Sequence, residues 1–236
     1  MRKHFLILML LTLLPLATWA GTPYATNTPA VKAAQEWTSQ PLGLVETAVE
    51  LPGDYDTSVG HVYYIALLSS QAAPIKSNPN WSTELPTKTD INEYKVYYYI
   101  TNDGTTKYDV DGDVTQIGTG TAEITKATIK AANITSPVAA VADANRKYNG
   151  GEAVNLVTAP EFTGIISDEI TTEYSTDGVN WSPNIPTATV CGVNYTIKWR
   201  TQETTHYESY TAGADVTTSL NMADLTTGDI TLPTVI

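Results

Sequence analysis

Apolar and polar positions alternate over short stretches along most of the chain, and four stretches show it best. GHVYYIAL (60–67), YKVYYYIT (94–101), DEITTEYS (168–175) and NYTIKWRT (194–201) are rich in β-branched and aromatic residues with partial period-two spacing. That is the signature of half-buried β-strands. Turn-forming residues separate them: Asn102-Asp103-Gly104, Asp111-Gly112, Asn149-Gly150-Gly151 and Asp177-Gly178. After the first twenty residues no segment carries a helical period. The expected fold is all-β, built from short antiparallel strands.

The pattern also repeats. Asn80-Trp81-Ser82 recurs as Asn180-Trp181-Ser182, Pro86-Thr87 as Pro186-Thr187, and Thr89 as Thr189. After a one-residue gap, Tyr94-Lys95-Val96 matches Tyr195-Thr196-Ile197, and Tyr108 and Tyr207 follow. Upstream the match is weaker, pairing Trp37 with Tyr148, Leu44-Val45 with Leu156-Val157, and Tyr64 with Tyr174. The first copy is longer between Tyr64 and Trp81, which marks an insertion at residues 67–79. A period of about a hundred residues exceeds that of solenoid repeats and equals a whole domain. The expectation is therefore two tandem immunoglobulin-like β-sandwiches, at 21–130 and 131–220, joined near residues 128–137. Residues 221–236 are left as a tail, read as an extra edge strand, a linker stub or disorder.

The order of motifs in the second copy resembles a known family. Tyr148-Asn-Gly-Gly, Val154-Asn-Leu-Val-Thr-Ala, Tyr174-Ser-Thr-Asp-Gly-Val-Asn-Trp-Ser, Ile185-Pro-Thr-Ala-Thr and Tyr195-Thr-Ile-Lys-Trp are similar to the MBG-type bacterial Ig-like repeat. The resemblance covers residues 148–210 well and 37–108 more loosely. Cys191 stands where that family usually has a small residue, and the first copy lacks the Asp-Gly turn before its tryptophan. The resemblance implies a non-catalytic extracellular module of bacterial origin and supplies no ligand-binding residues.

Composition narrows the setting. Arg2 and Lys3 precede an apolar run from Phe5 to Leu16, and Thr18 and Ala20 offer small residues at a cleavage site, so residues 1–20 read as a secretory signal peptide. The run is shorter than the roughly 18 residues a membrane span needs, no later segment is long enough, and no transmembrane span is expected. No cysteine follows the run, so a lipid anchor is not indicated. Cleavage removes two basic residues and no acidic one, taking the formal charge from -12 to -14. Scattered basic residues on so acidic a chain disfavour nucleic acid as a partner. Cys191 is the single cysteine, so no intramolecular disulfide can form, and the length suffices for two cores.

Candidate chemistry is sparse. Trp81 and Trp181 recur just after turns, where they could stack on sugar rings; packing on their own domain is the better reading of a repeated position. In Tyr97-Tyr98-Tyr99, alternation is expected to expose at least one ring. Asp109-Val110-Asp111-Gly112-Asp113 resembles the start of a calcium loop, but Val114 stands where Gly is required and no Glu follows at the twelfth position, so an interstrand turn is expected. His61 and His206 lie in no nucleophile or metal motif, and His206 reads as a surface residue. Cys191 reads as a small buried apolar residue rather than a reactive thiol. The 25 acidic residues make pairs of carboxylates inevitable and hence uninformative. Asn80, Asn133, Asn180 and Asn194 begin Asn-x-Ser/Thr triplets, which matter only in a eukaryotic secretory pathway. The final LPTVI resembles part of a sortase signal, with no apolar stretch or basic tail after it. No catalytic, cofactor-binding or metal-binding residue is assigned, and no cofactor.

Three functional readings follow. The first is a secreted or cell-surface spacer or adhesion module working through loops and edge strands, with an extracellular protein or glycan as partner. The second is a carbohydrate-binding protein, which requires some of Trp37, Trp81, Trp181, Trp199 and Tyr97–Tyr99 to line up exposed on one face. The third and least supported is a hydrolase, which requires a cleft with converging carboxylates or His61.

Overall fold

The computed structural model describes residues 21–140 and 151–222. The expected signal peptide, Tyr148-Asn149-Gly150 and residues 223–236 of the expected tail lie outside the described residues. Contacts divide the chain into two compact units, with the line between Thr125 and Lys126. Residues 126–135 bond within the second unit, as in the antiparallel pairing of Ile134 with Phe162. The line thus falls a few residues before the join expected near 128–137.

The described residues are almost entirely β, with two three-residue 3-10 turns at Ala131–Asn133 and Ser167–Glu169. The first unit comprises β1 (Ala30–Val31), β2 (Gln35–Glu36), β3 (Leu42–Gly43), β4 (Val45–Thr47), β5 (Val62–Leu68), β6 (Thr87–Lys88), β7 (Asn92–Ile100), β8 (Thr115–Gln116) and β9 (Ala122–Thr125). Its main sheet has the order β2-β9-β7-β5, with β8 also on β7. The β2–β9 pairing is parallel and the others are antiparallel. β1 pairs with β4 and β3 with β6. The Leu44 N–H donates to the Pro86 carbonyl, and the Leu44 carbonyl accepts from Lys32 N–H, which ties these short pairs together.

Alternation along β5 and β7 decides what enters the core. Tyr64, Ala66, Tyr94, Val96 and Ile100 share one face and are buried, together with Leu44, Val45 and Ile117. Tyr64 reaches across this core, where its hydroxyl accepts the Val49 N–H at 3.2 Å. Burial of apolar area on this scale is the main stabilising term for a chain without disulfides.

The second unit comprises β10 (Ile134–Thr135), β11 (Val154–Asn155), β12 (Glu161–Phe162), β13 (Thr172–Ser175), β14 (Thr187–Ala188), β15 (Asn194–Thr201) and β16 (Val216–Ser219). Its sheet runs β13-β15-β16, with β10–β12 and β11–β14 as further antiparallel pairs. Leu156, Val157, Tyr174, Ala188, Ile197 and Trp199 form its core. The Leu156 N–H donates to the Pro186 carbonyl, and the Leu156 carbonyl accepts from Ala140 N–H. Both units are all-β and of sandwich type.

Two expectations need correction here. None of the three tyrosines in Tyr97–Tyr99 is fully exposed: Tyr97 is buried, and Tyr98 and Tyr99 are half-buried. The alternation argument assumed that one face of β7 meets water, whereas both faces are covered. Residues 67–79 supply part of that cover. Pro74 is buried, the Trp81 indole N–H donates to the Ile75 carbonyl at 3.0 Å, and the Lys76 ammonium donates to the Asp111 carbonyl. Secondly, Cys191 is half-buried rather than buried. It sits in the turn between β14 and β15, beside Gly192, whose φ of 72° is of the left-handed kind that favours glycine.

Candidate functional site

The two repeated tryptophans sit on the face of each main sheet opposite the core, and each is held by a cross-strand pair. In the first unit Tyr63 lies directly opposite Tyr99. Their rings stack at 5.2 Å with an interplanar angle of 10°. Trp81 sets its edge on Tyr99 at 4.8 Å and 83°, and exposed His61 stands edge-on to Tyr63 at 6.3 Å. Offset and edge-on contacts of this kind add stabilisation beyond area burial.

In the second unit Glu173 lies opposite Arg200. The guanidinium sits over the Trp181 ring at 4.2 Å and forks onto the Glu173 carboxylate, with Nε and Nη2 each at 2.8 Å. The Gln202 amide adds a third donor at 2.7 Å. The hydrogen bonds from Arg200 and then Gln202 hold the buried Glu173 carboxyl below its ordinary value of 4.5, against the opposing effect of burial. One frame thus carries a tryptophan on aromatic rings in one unit and on an ion pair in the other.

The row required by the carbohydrate reading is only partly present. Trp37, Trp199 and Tyr97 are buried, while Trp81, Trp181, Tyr98 and Tyr99 are half-buried. The acidic turn is committed to local structure: one Asp111 carboxylate oxygen accepts both the Asn102 N–H and its side-chain amide at 2.8 Å. Among the described residues no group of three or more His, Cys, Asp or Glu side chains converges as metal ligands would. His206 is half-buried, not a plain surface residue. Its Nδ1 lies 2.9 Å from both carboxylate oxygens of Glu169, a partner from a 3-10 turn that sequence spacing could not reveal.

Sequence reasoning missed a polar cluster below the first-unit core. Asp103 is buried at a turn, and its carboxylate accepts from Asp56 N–H, Thr105 N–H and the Thr105 hydroxyl. Burial raises its pKa, and these bonds outweigh that and leave it lowered overall. Beside it Tyr55 and Tyr108 pack at 5.8 Å, and the Tyr55 hydroxyl donates to the Thr101 carbonyl. The Tyr108 hydroxyl donates to Asp54, which also pairs with Lys107. Asn-Asp-Gly at 102–104 signals the turn, yet nothing in it signals three donors converging on one carboxylate. The residues of this cluster satisfy one another, as structural networks do.

Each unit also has a groove beside the outer edge of its main sheet. The larger, about 560 Å³, lies between β5 and the segment from Ser82 to Asp90. Its counterpart beside β13 is about 270 Å³ and is lined by Tyr174, Ser182, Pro186 and their neighbours. Among the described residues no helix is long and apolar enough to cross a membrane. Comparison with family models, with curated proteins and with solved structures finds no match for this chain.

Proposed function

We propose that the chain is a non-catalytic secreted or cell-surface module of two tandem Ig-like sandwiches, related to the MBG-type bacterial repeats, acting as a spacer and adhesion element. One observation carries this reading: residues matched by the sequence repeat make the same backbone bonds in each unit. Tyr64 and Ser82 exchange both hydrogen bonds, at 2.7 and 3.0 Å, and Tyr174 and Ser182 do so at 2.8 and 3.0 Å. Leu44 donates to Pro86, as Leu156 does to Pro186. Tyr108 N–H reaches the Thr105 hydroxyl and Tyr207 N–H the Thr204 hydroxyl. Two copies of one sandwich suit a stiff spacer, whose contacts are made by loops and sheet edges. With the first twenty residues acting as an export signal, the work is mechanical and interfacial.

Force spectroscopy of residues 21–236 tests the spacer. Two unfolding events are expected, each releasing about a hundred residues or roughly 350 Å of extended chain. A single event releasing the whole length would refute the two-module reading. Fractionation of cells expressing the full chain tests export, and retention of the uncleaved chain in the cytoplasm would refute it. A second reading, carbohydrate binding, is favoured by the half-exposed Tyr63–Tyr99–Trp81 cluster. It requires a saturable change in tryptophan emission with soluble glycans that is lost in Trp81→Ala.

A further inference from the structure

The edge of β5 carries an unused pair of backbone groups. Thr101 N–H donates to the His61 carbonyl, and Ser69 N–H to the Glu93 carbonyl, so the odd-numbered residues of this stretch bond to β7. The even-numbered residues turn their N–H and C=O the other way, toward the outer edge. Tyr64 spends both on Ser82. Leu68 spends both on Gln71, donating to its side-chain oxygen and accepting from its N–H. Ala66, between them, has no hydrogen-bond partner among the described residues although it is only 8% exposed. Buried backbone groups are nearly always paired, and a pair on a sheet edge that no described residue meets is open to water in the groove or to an added strand.

The groove of about 560 Å³ opens at this point, with Ala66 in its wall. It forms because the chain leaves the sheet edge at Ser82 and crosses to the second layer, where Pro86 meets Leu44. Its rim bears Glu84 and Asp90, both exposed, against Lys88 alone. Among its described residues the second unit has the smaller groove but no strand residue in the place of Ala66. There the strand stops at Ser175, whose hydroxyl accepts the Gly178 N–H of the Asp177 turn. The insertion at 67–79 replaces that turn and prolongs the strand. The feature that breaks the repeat therefore creates the open edge.

We infer that the edge of β5 at Ala66 is a β-augmentation site that takes one extended, cationic peptide segment from a partner protein. The segment's backbone bonds to Ala66 N–H and C=O, and its Lys or Arg side chains meet Glu84 and Asp90. This deepens the adhesion reading by naming the partner class, and it rests on that reading. The force and fractionation experiments above do not depend on it, so the two can fail separately.

The test is fluorescence polarisation of residues 21–236 with three labelled decapeptides: alternating Thr and Val with a Lys at each end, the same with Glu for Lys, and the Lys form with alternate amides N-methylated. Saturable binding of the Lys peptide is expected, at least tenfold weaker for the Glu peptide and for the N-methylated one. Ala66→Pro removes the outward donor without touching a β5–β7 bond and should weaken binding at least tenfold. Should that variant fail to fold, Glu84→Lys with Asp90→Lys, both at exposed positions, is expected to reverse the preference toward the Glu peptide. No saturation by any peptide up to 1 mM, or equal binding of the N-methylated peptide, would overturn the proposal. So would displacement of the peptide by a soluble oligosaccharide. Concentration-dependent self-association abolished by Ala66→Pro would make the occupant a second copy of this chain and overturn it equally.

Discussion

Leu44 and Leu156 hold matching positions in the two units, each fully buried and each bonded through its own N–H to a proline carbonyl. Truncating either to alanine removes the side chain beyond Cβ and leaves the backbone bonds in place, so the change isolates packing. A leucine at 0% exposure falls in the range of about 2–5 kcal/mol for such truncations, transfer and cavity costs together. Taking ~3 kcal/mol, the folded-to-unfolded ratio of the affected unit falls more than a hundredfold. A domain of about a hundred residues should then melt roughly 12–24 °C lower. Urea unfolding followed by hydrogen exchange and mass spectrometry resolves the units, since peptides from 21–125 and 126–222 report each core separately. Leu156→Ala should lower the midpoint for peptides of the second unit with an unchanged urea slope, and Leu44→Ala should do so for the first. A cost below about 1 kcal/mol at either site would mean that the leucine is not clamped in a packed core, and the burial argument would fail.

Three further outcomes are expected. A Cβ added at Gly60 would lie 2.0 Å from the Tyr55 hydroxyl oxygen and 2.8 Å from the Asn102 carbonyl, so Gly60→Ala should displace the buried tyrosine and cost about 1–3 kcal/mol in thermal melts; an unchanged melt would refute the tight approach. The Asp177 carboxylate accepts the N–H groups of Asn180 and Val179, then the Asn180 amide and the Ser175 hydroxyl, which hold its pKa well below the ordinary 3.8. A depressed folded pKa gives stability that is complete above the unfolded value and fades as pH falls through the acid range. Asp177→Asn should therefore destabilise most at neutral pH, with the difference from the parent shrinking below pH 4; a difference independent of pH would refute the assignment. Cys191, half-buried in a turn, should react stoichiometrically with a maleimide without denaturant, and protection until unfolding would refute its placement.

The long strands were legible in the sequence because each has enough residues for alternation to register, as in β5, β7 and β15. The two-residue strands were not, since a pair such as Leu42–Gly43 with Thr87–Lys88 exists only once two distant segments meet. The tryptophans could be matched by counting, but not their supports. Tyr99 and Arg200 become neighbours of Trp81 and Trp181 through the strand register, which no local spacing encodes. Cys191 was misjudged because its apolar character pointed to a core while the neighbouring Gly192 made the turn. The open edge at Ala66 was beyond reach of the sequence, because it depends on which residues of β5 face β7 and which face away.

The paired supports beneath the two tryptophans imply a constraint on divergence. Tyr63 and Tyr99 in one unit, and Glu173 and Arg200 in the other, occupy directly opposed strand positions. Glu173 is buried and depends on Arg200 for its charge partner, so an intermediate with Glu173 opposite a tyrosine strands a carboxylate, and one with Arg200 opposite a tyrosine leaves the cation without its counter-ion. Neither residue can drift alone. The two positions behave as a single heritable character with two states, and exchanging both residues at once between the units should be tolerated where each single exchange is not.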